Sequence, residues 1–503
     1  MVVGQGRSPV VARRGGWYPA PRMLDLEGFR AVAHRAADLA ADTMERVARG
    51  PVFRPMSPEE RGALLDIRLP ERGQPLEAAL EFAREKILSH PMGNGHPRFF
   101  GWVNSPPAPA GVAAELLAAA LNPSVAGGDH AAVYLERGVV RWLMELVGFP
   151  VAGSMGLLTS GGSVASLVGL AGARHKAALT DGWNVREEGL QGGRPRLILY
   201  LTDEGHSALR KAAEILGLGS ASVRTVPTDA GLRMNVTSLR AAIAADRGNG
   251  LRPFCVAASA GTVNSGAIDP LAEIADVCAK ESLWLHVDGA YGAFGAASPA
   301  LARLYDGMER ADSLALDPHK WLSVPIECGC AIVRDGSLLR DTFSLVPPYL
   351  RTEEGKGFGG LPWFSEYGPQ QTRGFRALKL WMTIHSLGRD GVVARVERHV
   401  ALARRLASRI DEASDFERLA DGPLSIVCFR YAPPSLRGKD ERLNELNKSV
   451  MERIQAGGEA FVSGTTIGGR FALRACVLHD DTTEADVDAL VEIARRTGEA
   501  CAR

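Results

Sequence analysis

The chain has 503 residues, 46% of them hydrophobic and 23% charged, and its 58 basic side chains are balanced by 58 acidic ones. That balance leaves no electrostatic footprint for nucleic acid or an anionic membrane surface, and the length exceeds what one core usually supports, so two or more packed units are expected. Seven cysteines, with Cys328 and Cys330 too close for an easy bridge, show no disulfide framework and point to a reduced, cytoplasmic setting.

Residues 1–22 are rich in Gly, Pro and Arg, lack an apolar signal core and read as a disordered lead, with Met23 a candidate start. Apolar and alanine positions then recur at helical spacing from about Leu24 to Val47, and a second helix is predicted over Pro75 to Leu88. A Pro- and Gly-rich loop follows, carrying His96-Pro97-Arg98-Phe99-Phe100. The richest apolar stretch, Gly111 to Leu121, is interrupted by Glu115 and is too short to span a bilayer. From there to about Asp390 short apolar runs (Leu197 to Leu201, Phe254 to Ala258, Leu283 to Val287, Ser313 to Leu316) alternate with helical patterns such as Ser207 to Leu216 and Leu271 to Lys280. Such alternation predicts an α/β fold with a largely parallel sheet. A helix from about Gly391 to Asp411 leads to a smaller α+β unit. Its predicted strands are Ser425 to Tyr431 and Phe471 to Val477, and its predicted helices run near 441–455 and 483–496. The segments are drawn as 1–22 lead, 23–110 helical N-terminal segment, 111–395 large domain and 396–503 small domain.

The motifs fall at the ends of predicted strands, where ligands bind on such sheets. Ser313-Leu-Ala-Leu-Asp-Pro-His319-Lys320 ends a strand in a turn that presents an amine, which suits imine formation with a carbonyl cofactor. His286-Val-Asp288-Gly-Ala290 ends another strand in a carboxylate and small residues. Asp288 alone also reads as a strand-end cap, or with His286 as a metal pair, yet no further ligand lies at metal spacing and neither reading accounts for Lys320. Gly153 to Ser163 makes a tight turn before a small-residue helix, a place that favours an anion, although most such turns are only turns. His206 stands between a strand and a helix, where an isolated histidine is commonly a cap.

Taken in order, these motifs resemble the group II pyridoxal-5'-phosphate (PLP) amino-acid decarboxylases, which include the aromatic L-amino-acid decarboxylases. The resemblance runs from about Leu24 to the C-terminus. It implies the type I PLP fold and a homodimer with sites at the subunit interface, the helical N-terminal segment lying there. It implies Lys320 as the Schiff-base lysine and Asp288 as the partner of the pyridine nitrogen, which keeps the ring a cationic electron sink. Ala290 would pack on the ring, and His206 would stack on it and assist proton traffic. Gly162, Ser163 and His319 would sit at the phosphate, Thr262 beside the cofactor, and Trp102 and Ser105 at substrate-pocket positions. Asp317, where animal members carry asparagine near the phosphate, is expected to turn its carboxylate away from that anion. Arg373, Arg376, Lys379 and Arg474 are expected to be structural.

Tyr349, on a loop followed by Gly355, Gly357, Gly359 and Gly360, lies where the family carries the tyrosine that reprotonates Cα. Relatives with phenylalanine there consume oxygen and release aldehydes. The resemblance thus implies decarboxylation of an L-amino acid, an aromatic one first, although Ser124 to His130 lacks the aromatic residues that readers of aromatic substrates carry. The alternatives are a decarboxylation-dependent oxidative deaminase on the same cofactor and, more remotely, a non-catalytic PLP-binding protein.

Overall fold

The computed structural model describes residues 26–346 and 356–503. The described residues fall into two compact units, one of residues 26–46 and 57–89, the other of residues 47–56 and 90–503. The first is helical and draws on α1 (Leu26–Arg49), α2 (Pro58–Leu65) and α3 (Leu76–Phe82). Ser57 opens α2 with a capping box closed by Glu60. The expected lead at 1–22 lies outside the described residues.

The larger unit begins with β1 (Phe99–Phe100), α4 (Pro109–Leu121) and α5 (Ala131–Val147). It continues through β2 (Met155–Thr159), α6 (Gly162–Thr180), α7 (Val185–Glu188), β3 (Leu197–Thr202), α8 (Ser207–Ile215) and β4 (Val223–Val226). Next come α9 (Val236–Gly248), β5 (Arg252–Ser259), α10 (Leu271–Glu281), β6 (Trp284–Asp288), β7 (Ser313–Leu316), β8 (Gly329–Val333) and α11 (Gly336–Phe343). The long α12 (Arg376–Glu412) leads to β9 (Phe416–Ala420), β10 (Ile426–Tyr431), α13 (Asp440–Gly457), β11 (Phe461–Ile467), β12 (Arg470–Cys476) and α14 (Glu484–Ala502).

Two sheets result. The seven-stranded sheet has the order β2-β8-β7-β6-β5-β3-β4, and only β8 runs against its neighbours. Strand residues alternate between two cores, as the period of two requires. Leu157, Leu199 and Leu201 pack with Val168 of α6 and Leu209 of α8. Leu158, Ile198 and Tyr200 pack on the other face with Leu143 of α5, Ile243 of α9, Ile274 of α10 and Val396 of α12. This is the mainly parallel α/β architecture the sequence predicts.

The second sheet has the order β1-β11-β12-β10-β9, with a core of Phe429, Leu473, Val450 and Val491 against α13 and α14. One of its two outer strands, β1, comes from the predicted N-terminal loop. The helix predicted from Gly391 starts earlier, at Arg376, and Gly388 (φ 66°, ψ 175°) breaks it into two segments. Met155–Thr159, read in the sequence as part of a tight turn, is strand β2. Among the described residues no helix is long and apolar enough to cross a membrane.

Candidate active site

The carboxyl ends of β2, β3, β5, β6 and β7 meet around a cavity of about 280 Å³. Gly162, Ser163, His206, Thr262, Asp288, Ala290, His319 and Lys320 all line it. Eight positions spread over residues 162–320 converge because parallel strands deliver their following turns to one edge of the sheet.

After β2, the turn enters α6 at Gly161 and Gly162. A side chain at Gly162 would collide with its neighbours. A Cβ on Gly162 would lie 2.9 Å from both Ala290 Cβ and Asp317 Oδ2, and one on Gly329 of β8 would lie 2.5 Å from Gly161 Cα. The bare helix start leaves its N–H groups free for an anion. After β3, His206 is the N-cap of α8, its Nδ1 accepting from Ala208 N at 3.1 Å. The neutral ring therefore carries its proton on Nε2. The bland reading as a cap and the placement at the cavity hold together.

Thr262, after β5, is buried with its hydroxyl 3.0 Å from Ser265 Oγ. Asp288 ends β6, and its Oδ1 accepts from Ala290 N at 3.1 Å. His286, weighed as a metal partner of Asp288, points elsewhere: its ring nitrogens lie 2.8 Å from Ser313 Oγ and 3.2 Å from Ser166 Oγ. Beyond β7, His319 Nδ1 accepts from Cys328 N at 3.2 Å. Burial holds the His319 imidazole below its usual range, against the opposing pull of Asp317. Trp321, next to Lys320, donates its indole N–H to His399 Nδ1 at 3.1 Å and stacks on Tyr291 at 5.3 Å.

Asp317 departs from expectation. It does not turn away; it lines the cavity with Oδ2 3.0 Å from Lys320 Nζ. The charge of Lys320, three residues on in the same turn, draws it in. Trp102 and Ser105 are not among the side chains that line the cavity. Trp102 is half-exposed beside Phe461, and Ser105 reaches the site only by donating to the main-chain oxygen of His319 at 3.2 Å. Tyr349 lies outside the described residues. Tyr291 and Ser259, which also line the cavity, escaped sequence reasoning, although both sit within three residues of a motif position. Arg474 donates to the main-chain oxygens of Val263, Asn264 and Trp102.

Residues 58–432 match the family described as pyridoxal-dependent decarboxylase conserved domain. The chain is 33% identical to the aromatic-L-amino-acid decarboxylase of Bacillus atrophaeus over 466 residues, which cover 92% of this chain and 94% of the relative. The chain belongs to the pyridoxal-dependent decarboxylase family. It is likewise 33% identical to the acidic amino acid decarboxylase GADL1 of Homo sapiens, over 93% of this chain and 89% of that one. In three dimensions it resembles the Oryza sativa TDC solved with PLP and tryptamine, with a TM-score of 0.87, 29% identity, and 95% of this chain and 99% of that one covered. As a family member it is a PLP-dependent amino-acid carboxy-lyase of fold type I.

The cavity fits that cofactor. The crowded start of α6 would suit a phosphate, Asp288 would present a carboxylate to a ring nitrogen, and Lys320 would present an amine to an aldehyde.

Proposed function

We propose that this decarboxylase converts an L-amino acid, an aromatic one first, to its amine and carbon dioxide, with Lys320 as the lysine that carries the cofactor. The observation that carries the reading is the meeting of Lys320, Asp288, His206 and Thr262 around one cavity. Bound PLP would supply the electron sink that lets the carboxylate leave as carbon dioxide. Asp288 would hold a proton on the ring nitrogen, while Gly162, Ser163 and His319 would bind the phosphate and Ala290 would leave room for the ring. His206 would offer a flat imidazole with an Nε2 proton beside the reacting carbon. Tyr349 would return the proton to Cα. Trp102 and Ser105 are kept as substrate-side candidates, and the working form is proposed to be a cytoplasmic homodimer with sites at the subunit interface. The aromatic preference is supported by the named activity of the Bacillus relative. The equal identity to an acidic amino acid decarboxylase supports a second reading, in which the side chain is a carboxylate.

The test is a screen of the PLP-loaded protein against the twenty amino acids plus dopa and 5-hydroxytryptophan, following carbon dioxide, amine and oxygen together. Amine and carbon dioxide in equal amounts, without oxygen uptake and absent in Lys320→Ala, are expected. Tyr349→Phe is expected to release aldehyde and consume oxygen. Aldehyde from the unaltered protein would establish the oxidative deaminase instead, and silence on every substrate would favour a non-catalytic binder.

A further inference from the structure

Asp317 is 3% exposed, and its two oxygens are differently placed. Oδ2 lies 3.0 Å from Lys320 Nζ and 3.6 Å from His319 Nε2, while Oδ1 is buried with no hydrogen-bond partner among the described residues. The carboxylate faces the start of α6. A Cβ built on Gly162 would meet Oδ2 at 2.9 Å, and one on Gly161 would meet Oδ1 at 3.8 Å. That helix start is the positive pole at which a phosphate is favoured. The chain thus sets an anion of its own against the phosphate cradle and binds the amine that must react.

We propose that Asp317 is a positioning residue that restrains Lys320 in the cofactor-free pocket and opposes entry of a phosphate, so that it slows the capture of PLP. The inference rests on the reading of Lys320 as the cofactor-bearing lysine. An amine attacks an aldehyde through its lone pair, which a protonated amine paired to a carboxylate does not offer. Lys320 must leave Asp317 before the carbon–nitrogen bond forms. Two of the ammonium's three protons then depart with the carbonyl oxygen as water, and the third passes to solvent. The phosphate meets a second obstacle, because like charges in a partly buried pocket are screened little.

The experiment uses the full chain stripped of PLP. Borohydride reduction of the reloaded wild type, followed by peptide mapping, comes first. A label on any residue other than Lys320 would refute the lysine assignment, whatever Asp317 does. Capture of PLP and of unphosphorylated pyridoxal is then timed by absorbance for wild type, Asp317→Asn and Asp317→Ser, and inorganic phosphate is titrated as a competitor. Thermal unfolding identifies any variant that has lost its fold. PLP capture is expected to be about tenfold faster in both variants, the order of one charge-assisted hydrogen bond. Phosphate should compete at lower concentration, and the gain for pyridoxal should be smaller than that for PLP. Unchanged or slower PLP capture by variants that unfold like the wild type would overturn the proposal. Equal gains for PLP and pyridoxal with unaltered phosphate competition would also overturn it.

Discussion

Arg373→Met tests the scaffold behind the site. Arg373 and Glu136 form an ion pair in which neither side chain has any exposed surface. The guanidinium also donates to Val125 O at 2.9 Å and to Leu158 O, and it lies over the Phe364 ring at 4.7 Å. Glu136 Oε1 accepts from Leu158 N at 2.9 Å. Together the pair holds both main-chain groups of Leu158, in the strand that runs into the Gly161–Gly162 turn. Methionine keeps most of the volume but strands a buried carboxylate and two buried carbonyl oxygens. Removing one member of a buried pair costs about 3–5 kcal/mol, and each orphaned carbonyl about 1–3 kcal/mol, overlapping terms that do not simply add. A loss of about 4 kcal/mol is expected, a large share of the roughly 5–15 kcal/mol that holds most domains folded. Urea unfolding followed by tryptophan fluorescence, at fixed protein and PLP concentration, measures it. Arg373→Met/Glu136→Leu should be less destabilised than the sum of its single variants by about 2–3 kcal/mol, since it buries no unpaired charge. A cost below about 1 kcal/mol for Arg373→Met, or strict additivity in the pair, would refute the reasoning.

Gly162→Ala should keep the fold and weaken PLP binding about tenfold or more in a fluorescence titration, because the new methyl meets Ala290 and Asp317 at 2.9 Å. A wild-type affinity would show that the start of α6 has room to spare. His286 gives a pH prediction. Burial is the main cause that pushes its imidazole down to about 4, the Asp288 charge opposing it, from an ordinary value of 6.5. Above pH 6.5 neither the folded nor the unfolded chain protonates this ring. Between 6.5 and 4 the unfolded chain takes up a proton that the folded chain refuses, so stability falls by about 3 kcal/mol in all. His286→Gln should flatten that limb of a urea-midpoint profile by about 1.4 kcal/mol per pH unit, and an unaltered slope would rule the assignment out.

The strands at Trp284–Asp288 and Ser313–Leu316 were legible because each is a short apolar run closed by a carboxylate. The cavity residues after β3, β5, β6 and β7 follow predicted strands within a few positions, whereas Gly162 and Ser163 follow β2, which was read as a turn, and were singled out through the resemblance. What escaped depends on partners distant in sequence. Phe99–Phe100 reads as loop and becomes a strand only against Phe461 and Val462. The first segment of α12 was missed because Gly388 breaks the periodic pattern that α12 resumes at once. Asp317 was misplaced because its charge was weighed against a phosphate alone and not against Lys320, which shares its turn. Trp102, given a pocket position by the resemblance, has a half-exposed ring in contact with Phe99 and Phe461.

The pairing of β1 with β11 also sets an order of events during synthesis. Trp102, just past β1, donates its backbone N–H to Ser463 Oγ across 361 residues of chain. At about 5–20 residues per second, the ribosome needs about 20–70 s to make that span. Through that interval two consecutive phenylalanines wait without the strand that will cover them. Completion of the small sheet thus depends on strands made more than 350 residues after β1, and a ribosome stalled before β11 would leave the segment that leads to Trp102 and Ser105 without its anchor.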